Sequence, residues 1–170
     1  MGANAAIRQS FFTALTETSA TDKEGVGTIR RTQNGDTYKW VQNKHSAALT
    51  VGQTAFHSLA NQATFNTLVY DCAAADLGCM AGIVMATSLA VDYFGWIQIF
   101  GYNASVAVLA YQVGPVVSGS WLKGTDSLAT LTYGVALGTA PIYTRGVIAL
   151  EGLASTVTVA TATKCFIQCL

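Results

Sequence analysis

Charge is what this sequence has least of: Asp, Glu, Lys and Arg make up only 11% of it, against about a quarter in ordinary soluble domains. The nine basic and nine acidic side chains cancel. There is therefore no basic excess to release counterions from phosphates, and nucleic acid is not an expected partner. Histidine is nearly missing. His45, after a strand in a polar stretch, reads as a surface or interface hydrogen-bonder, and His57, between Phe56 and Ser58, as a partly buried structural residue. Gly-x-Ser-x-Gly, His-Glu-x-x-His and the phosphate-binding Gly-x4-Gly-Lys-Ser/Thr are all absent, so no catalytic residue is expected. The cysteines, Cys72, Cys79, Cys165 and Cys169, never take the Cys-x2-Cys spacing of a zinc site. They read as buried free thiols. On one strand Cys165 and Cys169 would stand about 13 Å apart, too far for a mutual disulfide. Asp71 and Asp76 flank Cys72 in no known metal loop, and neither metal nor cofactor is expected.

Long apolar runs are missing too, despite a mean hydropathy of +0.39. The best, residues 77–91, carries Thr87 and Ser88 and stops at Asp92, short of the ~20 residues that span a bilayer. No membrane partner is expected. Arg8 interrupts residues 1–15, which lack the apolar stretch of a secretion signal. Synthesis in a cytoplasm is the resulting expectation.

What the chain has instead is strand signal. Residues 92–101, Asp-Tyr-Phe-Gly-Trp-Ile-Gln-Ile-Phe-Gly, read as a short central strand with large apolar groups on both faces: Phe94, Trp96, Gln98 and Phe100 on one, Ile97 and Ile99 on the other. Gly101 and Asn103 are expected to end it in a turn. Two β-type runs within residues 26–43 flank Asn34-Gly35, the pair favoured by a type I′ hairpin. Counting outward sets Gln33 against Asp36, Arg31 against Tyr38 and Ile29 against Trp40, and puts Arg30 opposite Lys39. Tyr38-x-Trp40-x-Gln42 repeats the face Phe94-x-Trp96-x-Gln98 at the same spacing.

Further strands are expected at 47–51, 65–71, 81–88, 105–111, 116–122, 128–137, 146–151, 155–160 and 165–170, with turns at 112–115 and 123–126 and a docked C-terminus. Short strands at such spacing predict an all-β chain, an antiparallel β-sandwich or barrel over residues 26–170. Residues 1–25 lack periodicity and read as an extended N-terminal arm, ordered only where a neighbour supplies contacts and removable over 2–20 without unfolding the β domain. Trp40, Trp96, Phe94 and Phe100 are the expected structural core. Arg30, Arg31, Lys39 and Lys44 are the only concentration of positive charge and the candidate contact for an acidic partner surface.

Two stretches carry a resemblance. Gly-Thr-Ile-Arg-Arg at 27–31 with Gly-Asp-Thr-Tyr-Lys-Trp-Val-Gln-Asn at 35–43 and Ala-Ala-Leu-Thr-Val-Gly-Gln at 47–53 looks like the start of tailed-bacteriophage head decoration (capsid cement) proteins. Residues 92–101, preceded by Ala-Gly-Ile-Val at 81–84, are similar to the Tyr-Gly-Trp-Val-Gln-Val-x-Gly element of that family, with Phe94 standing between Tyr93 and Gly95. The resemblance runs over residues 26–170 in order, and its two Trp-x-Gln segments are the distinctive part. It implies a non-catalytic virion protein on the outer surface of the head. Its partners would be the major capsid protein and its own copies, as a homo-oligomer and by the family's habit a trimer. The scarcity of charge also suits buried surface between chains. The alternative is a β-sandwich carbohydrate- or receptor-binding module of a phage fibre, for which Tyr102, Tyr111 and Trp121 are the candidate exposed aromatics.

Overall fold

A computed structural model describes residues 11–57, 68–69, 80–109, 115–125, 128–133, 146–154 and 159–169. Among these residues thirteen strands follow in chain order: β1 (Thr18–Ser19), β2 (Ile29–Arg31), β3 (Thr37–Asn43), β4 (Leu49–Thr50), β5 (Thr54–Phe56), β6 (Leu68–Val69), β7 (Met80–Val84), β8 (Ser88–Leu89), β9 (Phe94–Val108), β10 (Trp121–Thr125), β11 (Leu128–Tyr133), β12 (Val147–Ala149) and β13 (Thr161–Gln168). The fold is all-β. No helix among the described residues is long and apolar enough to cross a membrane.

The main sheet runs β11-β10-β12-β13-β9-β3-β2, and a parallel pairing of Leu131 with Val108 joins β11 back to β9. Five strands thus close a barrel. Its interior takes apolar side chains from each wall: Val106 and Val108 of β9, Leu122 of β10, Leu131 of β11, Val147 and Ala149 of β12, Cys165 and Ile167 of β13. β9 continues beyond the barrel as the centre of an open sheet, antiparallel to β3 on one edge and to β7 and β1 on the other. Under that sheet lies a second core built on Val41, Val84, Ile97 and Ile99.

The central strand is therefore longer than expected. Residues 94–108 form one strand of 15 residues, where the sequence reads as two separated by a turn. Two register shifts explain how one strand serves two sheets. Against β3 the pairing slips between Thr37 and Tyr38, and against β13 between Thr163 and Cys165. Such bulges bend a strand and add twist without ending it. Gly101 lies between the two slips at φ +110°, where a Cβ would stand 2.1 Å from Asp36 Oδ1 and 3.0 Å from Asp36 Cα. That glycine permits a close approach, and Asp36 Oδ1 accepts from Tyr102 N at 3.2 Å. Gly101→Ala is expected to lose about 1–3 kcal/mol from the backbone conformation alone. A urea midpoint equal to wild type would show that the approach is not tight.

The hairpin forms where Asn34-Gly35 places it, in a different register. Ile29 faces Lys39, Arg30 faces Tyr38 and Arg31 faces Thr37. Gly35 N donates to Thr32 O, Thr32 N donates to Asp36 O, and Gly35 has φ +89°. This is a three-residue loop, a turn followed by a left-handed glycine, rather than a two-residue type I′ turn. The slip removes the expected opposition of Arg30 and Lys39. Other expectations shift in detail. Lys123 and Gly124 lie inside β10, a β-bridge joins Val116 to Leu153, and 81–88 divides into β7 and β8. Residues 72–77, 112–114, 134–137 and 155–158 lie outside the described residues.

Candidate functional site

The two repeated faces meet each other. β3 and β9 set Tyr38 against Gln98, Trp40 against Trp96 and Gln42 against Phe94, so each aromatic-x-Trp-x-Gln face lies antiparallel on its counterpart. The indole centroids are 5.2 Å apart with planes at 62°. Both tryptophans are fully buried, and what buries them is the chain's own N-terminal segment. Phe11 packs edge-on to Trp96 at 5.7 Å. Trp96 Nε1 donates to Thr13 Oγ1 at 2.9 Å, and that hydroxyl donates to Glu24 Oε1 at 2.6 Å. Trp40 Nε1 donates to Asp22 Oδ1 at 2.8 Å. β1 adds a two-residue ladder to Gly95 and Phe94.

Residues 11–25 are thus a strap across the tryptophan face, and the expectation that a neighbouring chain must order them is corrected. Indole N–H groups buried in a sheet need acceptors, and the strap supplies one at each end. Of the four expected core aromatics, Trp40 and Trp96 are core. Phe94 and Phe100 are only half-buried, because Phe94 lies at the rim of the tryptophan cluster and Phe100 packs edge-on to Phe166 at 5.3 Å.

The four basic candidates do not form one patch. Arg30 is tied to the strap: Nη1 donates to Thr13 O at 3.0 Å, and the guanidinium stands 5.0 Å from the Phe11 ring centroid. Lys39 lies between Ile29 and Ile97 across the strands, and burial pushes its amine below the ordinary range. Lys44 is exposed beyond the far end of β3, ion-paired with Asp92. Arg31 is exposed on β2 and lies on the cross-strand row Arg31, Thr37, Phe100, Gln168. Of the four it alone presents a bidentate cation at the surface without an assigned role in the fold.

The outer wall of the barrel carries a different constellation. Tyr102 of β9 faces Phe166 of β13, Phe166 faces Ile148 of β12, and Ile148 faces Trp121 of β10. Directly opposed residues share a sheet face, so these four form one apolar row. With strands about 4.8 Å apart, it is about 14 Å long. Tyr102 is 50% exposed and Trp121 41%. Leu150, two residues after Ile148, is exposed beside the row, and so is Val117, in the turn closed by Ser120 N on Val117 O.

Beside the row Lys164 Nζ pairs with Glu151 Oε2 at 3.1 Å, while Glu151 Oε1 accepts from Lys164 N at 2.9 Å. These bonds to Lys164 hold the Glu151 carboxyl below its ordinary range and the Lys164 amine above its own. Tyr102 and Trp121 are two of the three aromatics singled out in the sequence. Tyr111 lies outside the described residues.

Compared with protein-family models, characterised proteins and solved structures, the chain matches none.

Among the described residues no group of three or more His, Cys, Asp or Glu could hold a metal ion. His57 is buried and His45 half-buried. What stands out chemically is thus a surface, the outer barrel wall. The sequence marks two of its members by residue type. Ile148 and Phe166 were missed, because strand alternation says which side chains point outward but not which strands lie side by side.

Proposed function

We propose that this chain is a non-catalytic structural protein of the outer surface of a tailed-phage head, made in the host cytoplasm and added to the capsid. There it binds the major capsid protein and other copies of itself, as a homo-oligomer for which the family resemblance suggests three copies, and stabilises contacts between capsid subunits. The observation that carries the reading is the exposed apolar row on a closed barrel wall, in a chain with little charge to cover its surface. A face of that kind suits contacts repeated over a lattice, where individually weak bonds add through multivalency. The resemblance over the two Trp-x-Gln segments supplies the choice of lattice.

The test is co-sedimentation with purified empty heads. The wild-type chain is expected to pellet with them, and Arg31→Glu to bind about 2–5-fold more weakly at low salt, with the difference shrinking at high salt, as befits one exposed charge. Arg31 takes the place of the whole basic hairpin here because Arg30 is engaged with the strap. Tyr102 and Trp121 in one row favour a second reading, a carbohydrate- or receptor-binding module of a phage fibre. Retention by cell-wall polysaccharide and not by heads would replace the first reading with the second.

A further inference from the structure

We propose that the outer barrel wall formed by Tyr102, Phe166, Ile148, Trp121, Leu150 and Val117 is the docking face for a second copy of this chain. The inference rests on the self-association part of the reading above and not on its capsid part.

Ten large apolar side chains are exposed among the described residues, and four of them, Tyr102, Val117, Trp121 and Leu150, belong to this one wall. Exposed apolar side chains scattered singly need no explanation, whereas a contiguous patch on a rigid face marks an interaction site. The composition is that of an interface centre: two aromatics at the ends, a phenylalanine and three aliphatics between and beside them, and no charge within the row.

The chemistry separates the occupants. A saccharide stacks on flat exposed rings and needs polar groups with spare capacity for its hydroxyls. Here Phe166 is half-buried with Phe100 against it edge-on, Ile148 and Leu150 are aliphatic, and the neighbouring charges, Lys164 and Glu151, already bond to each other. A dry, close-packed protein surface fits that arrangement better.

The chain's own properties then favour a copy of itself. With nine charges of each sign, two copies have no net repulsion to overcome. The Lys164–Glu151 pair at the border is neutralised within each copy, so it adds no like-charge repulsion when a second copy approaches. Pairing through the ends of the main sheet is disfavoured. The barrel is closed at β9 and β11, and the end strand β2 is three residues long and carries Arg30 and Arg31, which discourage edge-to-edge pairing. The row alone is smaller than the ~800 Å² per partner of a standard interface. Leu150 and Val117, both exposed, enlarge it.

The experiment is sedimentation equilibrium of the full chain over the micromolar range, without heads. The wild-type chain is expected above monomer mass. Trp121→Glu and Leu150→Glu, both at exposed positions, are each expected to weaken association about thirtyfold or more, the loss typical of an interface anchor, while thermal unfolding at low concentration stays that of the monomer. Phe12→Glu, 80% exposed on the strap, should associate as wild type. A monomeric wild-type chain throughout the range overturns the proposal, as does undiminished association of both Glu variants. Monomer mass with retardation in a gel containing dextran also overturns it and makes the wall a sugar platform. An oligomer dispersed by Trp121→Glu that never pellets with heads supports the docking face and removes the capsid reading alone.

Discussion

Trp96→Ala is expected to unfold the protein rather than to impair a contact. The side chain is fully buried between Trp40 and Phe11, and its Nε1 donates to Thr13 Oγ1. Truncation removes a large aromatic, at about 3–5 kcal/mol in a packed site. It also deprives the strap of one of its two indole anchors. Against a typical total stability of about 5–15 kcal/mol, that leaves a chain partly or wholly unfolded at 37 °C. Trp40→Ala should behave alike, since its Nε1 bonds Asp22 at the other end of the strap. Deleting residues 2–20 should reproduce much of the loss by taking Phe11 and Thr13 away from Trp96, contrary to what an independent arm would do. Circular dichroism and urea titration decide the matter. A Trp96→Ala chain with a wild-type spectrum and midpoint would mean that the tryptophan face is a surface left open for binding.

Alkaline solution is expected to destabilise the fold steeply, beginning near pH 9. Burial pushes the thiols of Cys165 and Cys169 from 9.0 up to about 12. Cys165 sits inside the barrel wholly out of solvent, and Cys169 packs where the two apolar cores meet. Each thiol stays protonated in the folded chain at a pH where the unfolded chain has released its proton. The folded state then binds more protons than the unfolded one, and stability falls as pH rises. The contribution is whole below 9.0 and is lost on the way to about 12. For Cys165 the full loss is about 4 kcal/mol, and for the partly exposed Cys169 less.

Tyr38, raised by burial and then by the nearby Asp36 charge, acts in the same direction above 10.0. Lys39, lowered by burial, opposes it: its unfolded form holds the proton longer, so its term favours folding as pH rises toward 10.5. Three acids against one base leave a net loss. Urea midpoints from pH 8 to 11 should drop for wild type and drop less for Cys165→Ala, which starts lower at pH 8 because of the cavity. Parallel curves for the two chains would assign the alkaline loss to other groups.

Several features were legible in the residues because they are local. Asn34-Gly35 marks a hairpin since few pairs tolerate a tight reversal, and Phe94-x-Trp96-x-Gln98 marks a strand face since alternation has a period of two. The hairpin's register was not legible. Asn-Gly serves both a two-residue and a three-residue loop, and the choice here goes with Asp36, which takes Thr32 N on its carbonyl and fits its carboxylate against Gly101. Gly101 shows the same limit. A glycine beside Asn103 satisfies the rules for a turn and for a bulge alike, and only the approach of another strand distinguishes them.

The all-β class, the strand faces that carry Trp40 and Trp96 and the scarcity of charge were therefore determined by the sequence itself, since they follow from backbone preference, side-chain period and composition. The tertiary structure decided which faces meet. It laid one Trp-x-Gln strand on the other, folded residues 11–25 over the tryptophans, and parted Arg30 from Arg31 and Lys44. It also gathered Tyr102, Trp121, Ile148 and Phe166 into one row from four strands. Register between distant strands depends on pairings and bulges summed over the whole sheet, and a shift of one residue turns a side chain from one face to the other.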